Sequence, residues 1–130
     1  MIEGSCNCGA VRWRFDRLPE SATACSCTLC RRYGVLWAYD FEDGAIHVSG
    51  PTSVWVRGDR WIGFHFCPTC GCMAYWRALE PQEDGRRRMA VNLLLAEPEP
   101  VAAIAIRRFD GLETYKDLPS NGRCVADYWF

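Results

Sequence analysis

Trp61-Ile62-Gly63-Phe64-His65-Phe66-Cys67-Pro68-Thr69-Cys70-Gly71-Cys72-Met73-Ala74-Tyr75-Trp76 holds both the structural signal and the chemical signal of this chain. Trp61 to Phe66 and Met73 to Leu79 are rich in aromatic and apolar residues and read as strands. Between them, Cys67-x-x-Cys70-Gly71 reads as a metal-binding knuckle. The two-residue gap folds both sulfurs toward one ion, and Gly71 can adopt a left-handed conformation without a Cβ clash.

Outward from this stretch the pattern stays β. Val11, Trp13 and Phe15 alternate with Arg12, Arg14 and Asp16, a period of two with one apolar face. Val35 to Phe41 and Ala45 to Val48 flank the turn Glu42-Asp43-Gly44. Val54 to Val56 precedes a hairpin turn at Gly58-Asp59, and Arg88 to Leu95 follows the loop Glu80 to Gly85. Pro98 and Pro100 interrupt Leu94 to Ile106, which leaves Val101 to Ile106 open between a short helix and a strand. Many short strands separated by turn residues predict an all-β fold, and 130 residues predict one domain spanning 1–130. The tail from Tyr115 to Phe130 ends in three aromatics, Tyr128-Trp129-Phe130, which are expected to dock onto the body.

Composition removes several classes of function. Hydrophobic residues make up 49% and charged residues 24%, a globular balance. Fifteen basic against sixteen acidic side chains leave a net charge of -1, so bulk charge cannot hold nucleic acid or an anionic membrane. Arg86-Arg87-Arg88 reads as a solvated turn. The apolar runs are too short to span a bilayer, and Met1-Ile2-Glu3-Gly4 lacks the features of a leader, so the expected location is cytoplasmic.

Nine cysteines, an odd number, fall into the clusters Cys6-x-Cys8, Cys25-x-Cys27-x-x-Cys30 and Cys67-x-x-Cys70, with Cys72 and Cys124 left over. Clustered thiols suit chelation better than long-range cross-links; redox chemistry at Cys67-x-x-Cys70 is the runner-up. A closed structural zinc needs four ligands, which Cys67 and Cys70 complete with Cys6 and Cys8. If Cys6 and Cys8 lie on an extended strand, they face the same way about 6.6 Å apart at Cα, within reach of one ion. Cys25, Cys27 and Cys30 form a different group. Three thiolates leave a fourth position for water or a substrate thiol, unless Cys72, Cys124, His65 or an Asp closes it. A tris-thiolate zinc is a poor electrophile but keeps a fourth sulfur as thiolate, so this group points to thiol chemistry rather than hydrolysis. Arg31-Arg32, directly after it, can offset negative charge or bind a substrate carboxylate. His47 and His65 read as strand residues.

Gly4-Ser5-Cys6-Asn7-Cys8-Gly9-Ala10-Val11, Cys25-Ser26-Cys27-Thr28-Leu29-Cys30-Arg31 and Phe66-Cys67-Pro68-Thr69-Cys70-Gly71, in this order, resemble the glutathione-dependent formaldehyde-activating enzyme family, which also includes centromere protein V-like proteins. The segments Cys70 to Arg77, Met89 to Asn92, Glu97-Pro98 and Arg107-Arg108-Phe109-Asp110-Gly111 look like one bacterial branch, and the likeness extends from about residue 4 to about residue 114. The resemblance implies a zinc-binding β-tent of several small antiparallel sheets. It also implies two zinc ions per chain, a structural one on Cys6, Cys8, Cys67 and Cys70 and a catalytic one on Cys25, Cys27 and Cys30. The implied activity is that of a carbon–sulfur lyase or synthase adding glutathione to formaldehyde or a similar small aldehyde; from its place directly after the triad, Arg31 is expected to orient a glutathione carboxylate. Its partners are then a small thiol and an aldehyde, with neither nucleic acid nor membrane, and a homodimer is compatible with it. The family usually carries His in the middle motif where this chain has Ser26. The alternative is a non-catalytic zinc-stabilised module, either a carrier or sensor of thiol adducts or a protein-interaction domain.

Overall fold

The computed structural model describes residues 1–129, and the chain is mostly β. Ten strands are present among the described residues: β1 (Ile2–Ser5), β2 (Arg12–Phe15), β3 (Ala22–Cys25), β4 (Trp37–Phe41), β5 (Ile46–Ser49), β6 (Ser53–Val56), β7 (Ile62–Phe66), β8 (Met73–Ala78), β9 (Arg88–Asn92) and β10 (Ile106–Phe109). One sheet has the order β1-β2-β5 and is antiparallel; the other has seven strands in the order β10-β3-β4-β9-β8-β7-β6. The larger sheet departs from small antiparallel units at one edge. There β10 runs parallel to β3, pairing Ile106 with Ala22 and Phe109 with Cys25.

Most strands read from periodicity are present within a residue or two. Leu94 to Ile106 resolves into a 3₁₀ turn (Leu93–Leu95), a helix α2 (Pro98–Val101) with Pro98 at its first position, and the first residue of β10. Neither a helix nor a strand spans Val101 to Ile106. Two other helices are short: α1 (Thr28–Tyr33), between β3 and β4, and α3 (Ala126–Trp129). No helix of the described residues is long and apolar enough to cross a membrane.

The pleat of the large sheet divides the interior in two, because successive side chains point to opposite faces. Ala38, Tyr75, Met89 and Val91 face the small sheet and join Trp13, Phe15 and Ile46 in one core. Their chain neighbours Trp37, Trp76 and Ala90 face the other way, joining Phe64, Cys27 and Cys30 in a second. Trp13, Phe15 and Trp37 are each no more than 2% exposed, and burying such a side chain contributes roughly 1.5–3 kcal/mol. The second core therefore includes Cys27 and Cys30, with Cys25 packed at its margin. The tail docks in part: Val125 is buried, its amide donates to the Ile104 carbonyl, and Trp129 packs half-buried against the first core, but Tyr128 stays exposed, contrary to expectation. Phe130 lies outside the described residues.

Candidate metal centres and the adjoining cleft

β1 ends at Ser5 and the chain then turns tightly. The Gly9 amide donates to the Cys6 carbonyl (3.0 Å), the Val11 amide to Cys6 Sγ (3.2 Å), and the Cys6 amide to the Val11 carbonyl (2.9 Å). Cys6 and Cys8 thus sit in a turn closed by Gly9 at φ +83°, not on an extended strand. The amide-to-sulfur bond favours the turn, since it satisfies a backbone donor and a thiolate together. Cys67 to Cys72 repeats the pattern. Amides of Thr69 and Cys70 point at Cys67 Sγ (3.4 and 3.5 Å), the Cys67 amide donates to the Cys72 carbonyl, and Gly71 adopts φ +80°.

The two knuckles face each other. The sulfurs of Cys6, Cys8, Cys67 and Cys70 all lie within 4.8 Å of one another, with Cys6–Cys8 and Cys8–Cys67 at 3.6 Å. Tetrahedral zinc–thiolate bonds of about 2.3 Å imply sulfurs roughly 3.8 Å apart, so the group fits a zinc ion in both chemistry and spacing. The Cys70 thiol is lowered to about 5, first by the Cys72 amide and then by that of Cys8. Cys72 stands outside the four, its sulfur accepting from the Asn7 amide at 3.4 Å.

The second group is built at a strand-to-helix junction. Cys25 ends β3, Cys27 caps α1 with its sulfur accepting the Cys30 amide (3.3 Å), and Cys30 lies in the first turn. The step of two and the step of three bring all three sulfurs within 4.8 Å of one another. Trp37 on β4 donates its indole N–H to Cys30 Sγ at 3.3 Å. Within the cluster the Cys25 thiol is lowered to about 5, chiefly by the hydrogen bond with the Cys30 side chain, which in turn raises Cys30. Of the residues considered as a closing fourth ligand, Cys72, His65 and Cys124 are engaged elsewhere. His65 pairs with Thr52 and stacks on Tyr75, and Cys124 lies 3.5 Å from Asp127.

A third segment completes this region. Parallel pairing of Phe109 with Cys25 carries Asp110 and Gly111 alongside the Cys25–Cys27 turn. The Ser26 amide donates to the Phe109 carbonyl (3.1 Å) and the Ser26 hydroxyl to Asp110 Oδ1 (3.3 Å). Asp110 also accepts the amides of Leu112, Glu113 and Thr114 and the Thr114 hydroxyl. The amides of Glu113 and Thr114 chiefly hold its carboxyl down at about 2. Sequence reasoning noted Asp110-Gly111 but assigned it no role, and it assigned none to Trp37. A parallel pair between strands about eighty residues apart leaves no local signal.

A cleft of about 640 Å³ opens beside this junction. Cys27 and Gly111 line it, with Arg32 and Tyr33 from α1, Trp55 and Arg57 from the β6–β7 hairpin, and Leu112 and Tyr115 from the loop after β10. Among the described residues, neither Arg32 nor Arg57 forms an ion pair. Arg31 lies at the edge of the same turn, its Nε donating to the Ser26 carbonyl at 2.7 Å. Neither histidine lines the cleft, and His47 pairs with Asp16 on the small sheet. The arrangement offers three thiols for a soft metal, two free cations and an aromatic wall.

Residues 1–105 match the family described as glutathione-dependent formaldehyde-activating enzyme. A Halomonas elongata protein named as a putative glutathione-dependent formaldehyde-activating enzyme is 31% identical, over 58% of this chain and 55% of that protein. The chain thus spans about half the length of this curated relative. A crystal structure of a Rhodobacter sphaeroides protein has the same fold, with a TM-score of 0.61 at 23% identity, covering 81% of this chain and 99% of that one.

Proposed function

The chain belongs to the glutathione-dependent formaldehyde-activating enzyme family, and on that premise we propose that it joins a thiol to an aldehyde at the cleft beside Cys25, Cys27 and Cys30. The thiol is anionic, glutathione by family. The observation that carries the reading is the junction itself: three clustered sulfurs, of which that of Cys27 belongs to a residue lining a cleft with two unpaired guanidinium groups. In this reading Cys6, Cys8, Cys67 and Cys70 hold a structural zinc, tying the N-terminal turn to the β7–β8 turn.

A zinc ion on Cys25, Cys27 and Cys30 would supply a lowered pKa for the substrate thiol and keep it as thiolate. The chain's own groups do the rest. Trp37 and the Cys30 amide point hydrogens at Cys30 and Cys27 Sγ, which steadies the negative charge of the triad. Arg32 and Arg57 hold the carboxylates of the thiol, joined by the terminal amino groups of Arg31, whose Nε is committed to Ser26. The thiolate sulfur then bonds to the aldehyde carbon, the carbonyl π pair moves to oxygen, and oxygen takes a proton from solvent in the open cleft. The proton has no imidazole source nearby, because Ser26 stands where the family carries His and its hydroxyl is turned to Asp110.

That absence favours a second reading, a carrier of thiol adducts that binds without accelerating their formation. Rate measurement separates the two. Formation of the glutathione–formaldehyde adduct faster than the uncatalysed reaction, lost in Cys27→Ser, supports the enzyme. Saturable glutathione binding with no acceleration supports the carrier, and absence of both excludes each reading.

A further inference from the structure

We infer that the cleft beside the triad is shaped for an aldehyde carrying an aryl or branched apolar group, rather than for formaldehyde alone. This rests on the thiol–aldehyde reading above and concerns the part of the site that reading leaves unused. Of ten large hydrophobic residues exposed among the described residues, four line this one cleft: Tyr33 (38%), Trp55 (55%), Leu112 (53%) and Tyr115 (69%). Single exposed apolar residues are ordinary on a protein surface; a convergent set in a concavity marks a binding site. These four come from α1, β6 and the loop after β10, so no shared amphipathic element explains their meeting. The wall is anchored, since Tyr33 lies 6.1 Å from the buried Phe64 ring and the loop bearing Leu112 is fixed by Asp110.

The cleft therefore has two kinds of surface within reach of Cys27. Arg32 and Arg57 suit the carboxylates of an anionic thiol. The aromatic surface has no counterpart in a polar tripeptide or in a one-carbon aldehyde, which is too small to cover it. The aldehyde's substituent sits on the same carbon that bonds to sulfur, so it is held next to the triad and is the part of the adduct left to fill this wall. The chemistry is unchanged and redox-neutral. Sulfur bonds to the carbonyl carbon, the C=O π bond opens onto oxygen, and that oxygen takes a proton from solvent, which has received the one the thiol released, to give a hemithioacetal.

The test uses the zinc-loaded protein with glutathione as the fixed thiol, comparing formaldehyde with phenylacetaldehyde and 3-methylbutanal, each rate divided by its uncatalysed rate. The expected result is greater acceleration for the two apolar aldehydes. Trp55→Ala and Tyr115→Ala should each lower the ratio of phenylacetaldehyde to formaldehyde kcat/KM about tenfold, the effect of losing one aromatic contact. Acceleration of formaldehyde with no gain for the apolar aldehydes, or a ratio unmoved in both variants, overturns this inference and leaves the thiol–aldehyde reading standing. No acceleration of any aldehyde overturns the reading beneath it as well.

Discussion

Gly111 lies against the sulfur of Cys25: a Cβ on this residue would stand 2.5 Å from Cys25 Sγ and 3.0 Å from Cys27 Cβ. Only a glycine lets the loop after β10 close this tightly on the triad. Gly111→Ala must push either the loop or the sulfur aside, and such overpacking typically costs 1–3 kcal/mol. The variant should melt earlier and surrender the triad metal to a chelator faster than the parent. Gly58→Ala, where a Cβ meets nothing within 4 Å, is the control. Equal zinc retention in all three proteins would show that the contact has slack.

The two cysteine groups should fail differently. Cys67 is fully buried and joins turns 59 residues apart through Cys8, and structural zinc contributes on the order of 10 kcal/mol to folding in small zinc peptides. Cys67→Ser should therefore give little folded protein. Cys27→Ser spans only the Cys25–Cys30 turn and should leave the far-ultraviolet dichroism near that of the parent, with about half the zinc. Equal losses of melting temperature would assign both groups the same structural role.

Trp37→Phe removes the indole N–H from Cys30 Sγ while keeping an aromatic ring in the second core. Partners that orient a metal ligand typically contribute 10- to 100-fold in affinity. Competition with a chromophoric chelator should show a loss of about that size at one site and none at the other. Loss at neither site would make the Trp37 contact one of packing only.

Asp110 is held at about 2 in the folded chain against an ordinary 3.8, so its network binds the ionised form. The stabilisation is fully present above about pH 4 and is lost as pH falls toward 2. Asp110→Asn lacks it at every pH. Urea melts should therefore show a stability gap between parent and variant that is constant near neutrality and narrows from about pH 4 to about pH 2. Comparing the two proteins cancels acid effects common to both, including protonation of the thiolates. A gap that stays flat through this range would mean that Asp110 is not stabilised by its charge.

Cobalt substitution should report whether the triad has an open position. Glutathione is expected to add a fourth sulfur and strengthen the thiolate-to-cobalt charge-transfer band, while S-methylglutathione leaves it unchanged. A four-sulfur spectrum without glutathione that Cys72→Ser abolishes would mean a closed site.

The strands and the cysteine turns were legible because both are local patterns. Alternation in Arg12–Phe15 and Trp61–Phe66 reflects the two faces of a pleat, and Cys67-x-x-Cys70-Gly71 specifies its turn within five residues. The Cys6-x-Cys8 pair shows the limit of local reading. An i,i+2 spacing fits an extended strand, but an amide-to-sulfur bond from Val11 draws it into a turn. β1, β3 and β10 are not legible in the sequence because four-residue segments such as Ile2–Ser5, Ala22–Cys25 and Ile106–Phe109 carry almost no periodicity.

By itself the sequence determined which neighbouring sulfurs could share an ion, since chelation by neighbours depends on spacing along the chain, whereas the meeting of Cys6 and Cys8 with Cys67 and Cys70 across 59 residues belongs to the tertiary structure. The tertiary structure alone decided what surrounds them. Parallel pairing of β10 with β3 sets Gly111 on Cys25 and Asp110 on Ser26, and the β6–β7 hairpin brings Trp55 and Arg57 to the cleft from another edge of the sheet. Strand pairing across some eighty residues is selected by the burial and backbone hydrogen bonding of the whole sheet, a sum over many weak terms that no single segment carries.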